Sequence, residues 1–190
     1  MNQHPQEQGF TIVEVMIVVA IIGILSSVSV YAFQHFSKKS KASEANVKLQ
    51  QIAQGAMAWF SIEKLDKKGK VLPQHFPHKN SPALPGTRLS RSTVPTMKLC
   101  GKGTRDGRYP IQQQQWKVSP WKQLKFHVNH EHYFQFVYAA AGTGTKATFE
   151  AVARADLNCN GIRSHYQLRY STSKTGEVVR HPIVVLRALE

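Results

Sequence analysis

From Val15 to Leu25 every position is apolar or glycine, and out to Phe33 only Ser26, Ser27, Ser29 and Tyr31 interrupt the run. The pattern predicts a helix over Phe10 to Phe33, 24 residues without Pro, Lys or Arg. At about 1.5 Å per residue it extends about 36 Å, enough to cross a bilayer. One carboxylate, Glu14, sits at the mouth of this run. An acidic side chain in mid-bilayer costs on the order of 2.5–3.5 kcal/mol. Near one end the cost is lower, but it rises when helices bundle and water leaves, so Glu14 calls for a partner.

After Ser37 the pattern becomes one-sided. Ala45, Leu49, Ile52, Ala56, Trp59 and Phe60 recur at spacings of three and four, which predicts an amphipathic continuation of the helix to about Lys64. Glu44 and Lys48 are expected to pair across one turn. The stripe reads as core packing against a domain rather than as a groove for a partner. Asp66-Lys67-Lys68-Gly69-Lys70 ends the helix, and Pro73, Pro77, Pro82, Pro85, Pro95, Pro110 and Pro120 then punctuate a long irregular connector with short elements. Beyond Trp121 the period changes to two. Strands are expected at Leu124–Phe126–Val128, over 132–141, over 147–155 and at Tyr166–Leu168–Tyr170. A fifth over 178–186 is demoted to an edge by Pro182. The expected fold class is α+β: a long N-terminal helix, transmembrane in its first half and amphipathic in its second, packed on a C-terminal antiparallel sheet of about four strands.

Gly9, Phe10, Thr11 and Glu14 stand directly before the apolar run. With the polar residues ahead of them they resemble the processing signal of the type IV pilin and pseudopilin family, in which a short leader ends in Gly and is followed by Phe-Thr-x-x-Glu and an apolar helix. The resemblance covers residues 8–33 closely and is only architectural beyond. It implies that a prepilin peptidase cuts between Gly9 and Phe10 and methylates the new amine of Phe10. It implies too that Glu14 attracts the amine of a neighbouring subunit during assembly. A dry ammonium–carboxylate pair attracts strongly, and removing either member strands the other. The alternatives are a plain membrane anchor, or a secretory signal peptide cut near Val30-Tyr31-Ala32, which fits poorly because residues 1–9 contain no Lys or Arg. The leader departs from the family in carrying Gln6-Glu7-Gln8 rather than a basic residue before Gly9. Lys38, Lys39 and Lys41 follow the helix, and the positive-inside rule alone would orient the body towards the cytoplasm; the junction outweighs that bias. Tyr31 replaces a kink-forming Pro common in the family.

The resulting organisation is a leader over 1–9, a filament-core or membrane helix over 10–34, its amphipathic continuation over 35–65, an irregular basic connector over 66–120 and a sheet region over 121–190. The chain has 190 residues, 25 Lys plus Arg against 11 Asp plus Glu, and a net charge of +14. Ten of the basic residues and a single acid, Asp106, lie between Lys79 and Lys125. Lys98, Lys102, Arg105, Arg108, Lys117, Lys122 and Lys125, interleaved with Tyr109, Trp116 and Trp121, are candidate ligands for DNA or another polyanion; a solvated basic surface is the alternative. Cys100 and Cys159 are expected to form a disulfide in an exported protein, against two reduced buried thiols.

Asp156, Asn158, Asn160 and Gly161 match the front half of a calcium loop, but Gln167 stands where a bidentate Glu belongs. Some pilins and pseudopilins bind calcium in this general region, and an Asx-type turn is the competing reading. His127, His130 and His132 form either a metal-binding set or an exposed turn cluster. No nucleophile elbow, phosphate loop or paired carboxylates are present, so no enzyme, metal or cofactor is expected apart from the calcium candidate. The expected function is a structural subunit of a type IV pilus-like filament. Its partners are itself and other pilins, the prepilin peptidase and an inner-membrane assembly platform. The chain would be a single-pass inner-membrane protein and then part of a periplasm-spanning or surface pilus. The alternatives are a type II secretion pseudopilin, or a minor pilin that binds DNA or another polyanion in uptake or adhesion.

Overall fold

A computed structural model describes residues 9–78, 90–94, 100 and 107–188. Its first element, α1, runs over Ile12–Ser61. The chain divides into two compact units, residues 1–37 and 38–190. In the first unit every described residue from Gly9 to Phe36 is exposed. Its apolar side chains on all faces leave no stripe that could be buried by folding back, so this segment must be covered by lipid or by other helices.

In the second unit α1 buries Ala42, Ala45, Leu49, Ile52, Ala53, Ala56 and Phe60, the expected stripe with Ala42 and Ala53 added and Trp59 only half-buried. The helix ends at Ser61, three residues before the expected Lys64. There the Lys64 ammonium donates to the carbonyls of Trp59 at 2.6 Å and Ile62 at 2.7 Å, satisfying acceptors that the helix end exposes. Lys64–Leu65 (β1) and Val71–Leu72 (β2) then pair as a small hairpin. Asp66 closes its turn by accepting from the backbone N–H groups of Lys68 and Lys70 at 2.7 and 2.9 Å.

The main sheet is antiparallel. It contains β3 (Ser90–Val94), then, after the short helix α2 (Gln113–Trp116), β4 (Gln135–Ala141), β5 (Thr148–Ala155), β6 (Ser164–Thr172), β7 (Val178–Arg180) and β8 (Val184–Leu186). The strand order is β3-β4-β5-β6-β7, and β8 also pairs with β6. On the inner face the register sets large residues opposite small ones. Phe136 and Tyr166 flank Ala153, Tyr138 and Leu168 flank Ala151, and Ala140 faces Phe149, which faces Tyr170. The alanines leave room for rings to interdigitate. Phe60 of α1 stacks on Phe76 at 4.6 Å, Phe76 meets Phe149 edge-on at 4.7 Å, and Phe149 stacks on Tyr170 at 4.8 Å. This aromatic chain joins the helix stripe and the sheet in one core.

Two expectations are corrected. The Leu124–Val128 segment is no strand, although Leu124, Phe126 and Val128 are buried as their alternation implied. Its N–H groups are taken locally: Lys122 donates to Val118, Leu124 to Pro120 and Phe126 to Trp121. Burial alternation is therefore achieved by a turn, and the ladder partner that a strand needs never arises. The connector carries a short element, as expected: it supplies β3, paired with β4 from Ser90↔Ala140 to Val94↔Phe136. With β3 the antiparallel sheet has six strands, roughly compatible with the expected count of about four. The fifth expected strand is split: residues 181–183, around Pro182, separate β7 from β8, and each half pairs with a different part of β6.

Candidate functional site

The Gly9–Glu14 junction is a helix start built from its own side chains. Gly9, Phe10 and Thr11 precede the first helical residue. The Glu14 carboxylate accepts from the Thr11 backbone N–H at 2.9 Å and from the Thr11 hydroxyl at 2.9 Å. In return the Thr11 hydroxyl oxygen accepts from the Glu14 N–H at 3.2 Å. This reciprocal arrangement is a capping box, which satisfies donors that the first turn leaves open. Thr-x-x-Glu is thus a folding signal as well as a sequence motif. It fixes the Glu14 rotamer, with the carboxylate at the positive end of the helix dipole. Phe10 is 88% exposed. A Cβ at Gly9 would meet nothing within 4 Å, so this chain's own packing does not require glycine there.

The other expected sites separate clearly. Cys100 and Cys159 form the disulfide, with Cα atoms 5.6 Å apart and a sequence separation of 59. In the 156–161 loop the carboxylate of Asp156 accepts from the N–H groups of Asn160 at 3.1 Å and Gly161 at 2.9 Å. The Asn158 side chain also accepts from Asn160 N–H, and the Asn160 side chain accepts from Ile162 N–H. The oxygens named as calcium ligands are engaged as Asx-turn acceptors. His132 is buried against Tyr109, Trp116 and Phe136, whereas His127 and His130 are exposed. No group of three potential His, Cys, Asp or Glu metal ligands occurs among the described residues.

Of the polyanion candidates, Lys98, Lys102 and Arg105 lie outside the described residues. Lys117, Lys122 and Lys125 line one cavity. Arg108 is engaged elsewhere: its Nε donates to the Tyr133 hydroxyl at 2.9 Å, and it pairs with Glu131 at 3.8 Å. The interleaved aromatics are core residues, with Tyr109, Trp116 and Trp121 only 3%, 5% and 0% exposed. That overturns the part of the expectation that needed them as stacking platforms.

One cluster left no mark in the sequence. Glu44 on α1 accepts from the Tyr133 backbone N–H at 3.4 Å, and Lys41 and Arg108 lie over the Tyr133 ring at 4.9 and 5.1 Å. Burial raises the Glu44 pKa, partly offset by that N–H and by the charges of Lys48 and Arg108. The expected Glu44–Lys48 interaction is an attraction that helps to hold down the Glu44 pKa. A separation of 89 residues between Glu44 and Tyr133 gives no local signal.

A capped apolar helix, uncovered along its first half and continuous with an α+β body, defines a protein whose N-terminal segment is made to be covered by a membrane or by other helices. Residues 5–30 match the family described as the prokaryotic N-terminal methylation motif. The chain is 43% identical over 58 residues to the type IV major pilin protein PilA of Myxococcus xanthus, covering 30% of this chain and 26% of that protein. It is 46% identical over 39 residues to the type IV major pilin protein PilE1 of Neisseria gonorrhoeae (20% and 24%). It is 49% identical over 39 residues to the fimbrial protein EcpC of Eikenella corrodens (20% and 26%). The N-terminal segment is thus similar to that of type IV major pilins. The chain spans about a quarter of the length of the curated relatives it matches. No solved structure matches it.

Proposed function

We propose that this protein is a filament subunit of the pilus type, inserted in a membrane through residues 10–34, cut between Gly9 and Phe10, and polymerised through α1. The observation that carries this reading is the junction: a carboxylate locked by a capping box at the entrance of a helix whose every face is apolar and exposed. Apolar packing between helices supplies most of the association energy. Glu14 supplies register, because a buried carboxylate is tolerated only where a cation meets it. The free amine that cleavage creates on Phe10 is that cation, donated by a neighbouring subunit. The unconstrained Gly9 supports processing, since a glycine that the chain itself does not need fits the demand of an enzyme that must approach the backbone closely. Self-assembly into a filament is supported by the matched relatives, two of which are named as type IV major pilins.

Sheared surface filaments, analysed by mass spectrometry, test the proposal. The expected finding is this chain in the filament fraction, beginning at N-methylated Phe10. A protein found only in membranes and still beginning at Met1 overturns both cleavage and assembly.

A further inference from the structure

Two adjoining cavities lie on the body, within the second unit. One has a volume of about 510 Å³ and the other about 550 Å³, and Lys125, Phe126, His127 and Asn129 line both. The basic residues around them are Lys48, Lys117, Lys122, Lys125, His127 and His130, and among the described residues neither lining contains an Asp or Glu. Lys48 comes from α1, far in sequence from the rest, so the fold rather than a run of basic residues assembles the site. Lys117, Lys122, Lys125, His127 and His130 are exposed. Four amides, Gln51, Gln54, Gln113 and Asn129, complete the polar lining.

Two further observations mark the site as built for a ligand. Lys125 holds φ of +51°, in the left-handed region where a lysine is strained and a glycine is not. Strain of this kind persists where the surroundings impose it and clusters at functional positions. Trp116 lines the first cavity, is 5% exposed, and carries a buried indole N–H with no hydrogen-bond partner among the described residues.

We propose that the two cavities form one groove for an acidic polysaccharide, a sugar chain bearing carboxylate or sulfate groups. The chemistry selects this class among polyanions. A recess of about 500 Å³ is of small-ligand size and takes a single flexible chain rather than a rigid duplex. A nucleic-acid single strand needs exposed rings on which bases stack, and the rings here are buried. Among the described residues the lining cations are ammonium groups or imidazoles, without the guanidinium fork that grips phosphate in a fixed geometry. Amides that both donate and accept suit hydroxyls. In a filament the groove would be repeated along the surface, and avidity would multiply a modest single-site affinity.

The test uses the full chain in phosphatidylcholine nanodiscs, with immobilised polygalacturonate (carboxylate) and dextran sulfate as separate probes. Binding to at least one of them at low salt, weakened by added salt, and none to neutral dextran are expected. Lys122→Gln combined with Lys125→Gly should weaken binding about tenfold, two surface ion pairs being lost, while the unfolding temperature stays level or rises because the glycine relieves strain. Lys48→Gln should weaken binding on its own. Lys67→Gln with Lys68→Gln removes the same charge outside both linings and should leave binding unchanged. The proposal is overturned by an equal loss in that control pair, by failure of both acidic probes to bind, or by a DNA duplex that binds more tightly than either.

Discussion

Glu14 has one role in this structure and a second in the proposed filament, and the two can be separated. As the capping-box partner of Thr11 it stabilises the helix start, an effect of about 1 kcal/mol for a typical cap. As a charge it would meet an ammonium of the next subunit, and at about 4 Å with an effective dielectric near 20 that attraction is about 4 kcal/mol. Glu14→Gln keeps the capping geometry, since Gln serves at this position of the box, but removes the charge. Thr11→Val removes the hydroxyl, which both donates to and accepts from Glu14, but keeps the charge. Glu14→Ala removes both. If the charge sets register, the yield of sheared filaments, normalised to membrane-held protein, falls several hundredfold for Glu14→Gln and as far for Glu14→Ala, since each 1.4 kcal/mol is about tenfold. Thr11→Val should cost about tenfold or less. Wild-type filament yield from Glu14→Gln would refute the charge reading and leave Glu14 as a cap alone. A Thr11→Val defect as deep as that of Glu14→Ala would refute the ranking.

Burial depresses the His132 pKa from 6.5 to about 4, so the folded state holds it neutral. The stabilisation is fully present above about 6.5 and is lost as pH falls towards 4, amounting to about 3 kcal/mol. Glu44, with its pKa raised from 4.5, acts with the opposite sign just above that value. His132→Phe should flatten the pH dependence of the unfolding temperature between about 4 and 6.5; an unchanged slope would show that His132 does not carry it. Gly55→Ala should destabilise the body although alanine favours helix, because the new Cβ would stand 2.0 Å from the Leu124 carbonyl oxygen. Overpacking of this kind costs about 1–3 kcal/mol, and a raised unfolding temperature would contradict the close helix–loop approach. Cys100→Ser should lower stability by about 4 kcal/mol, the loop-closure value for a separation of 59; equal unfolding temperatures for variant and wild type would refute that contribution.

Local chemistry was legible in the sequence where neighbours in the chain are neighbours in space. The apolar run, the α1 stripe, the strands at 132–141, 147–155 and 166–170, and the edge character of residues around Pro182 all follow from period and punctuation. The junction was legible as a motif, but its cap was not, because the Thr11–Glu14 bonds depend on side-chain rotamers. Misreading began where burial and hydrogen bonding part company. Leu124, Phe126 and Val128 alternate as a strand does, yet a turn takes the N–H groups of Leu124 and Phe126. β3 was missed because its sequence, Ser90-Arg91-Ser92-Thr93-Val94, has little apolar signal and takes its order from β4. The basic groove was half legible: its lysines stand together in the chain, but Lys48 joins them only through the fold, and the rings among them turn inward.

The capping box also settles what a cut at residue 9 can disturb. The first hydrogen bond that holds α1 runs from the Val15 N–H to the Thr11 carbonyl, and both cap residues lie on the same side of the Gly9–Phe10 bond. That bond sits in exposed, non-helical chain, the conformation in which a protease can draw a peptide into its cleft. Severing it breaks no bond of the helix. The proposed cut is therefore conformationally silent: it would change the charge and the length of the N-terminus while the helix keeps its start unaltered.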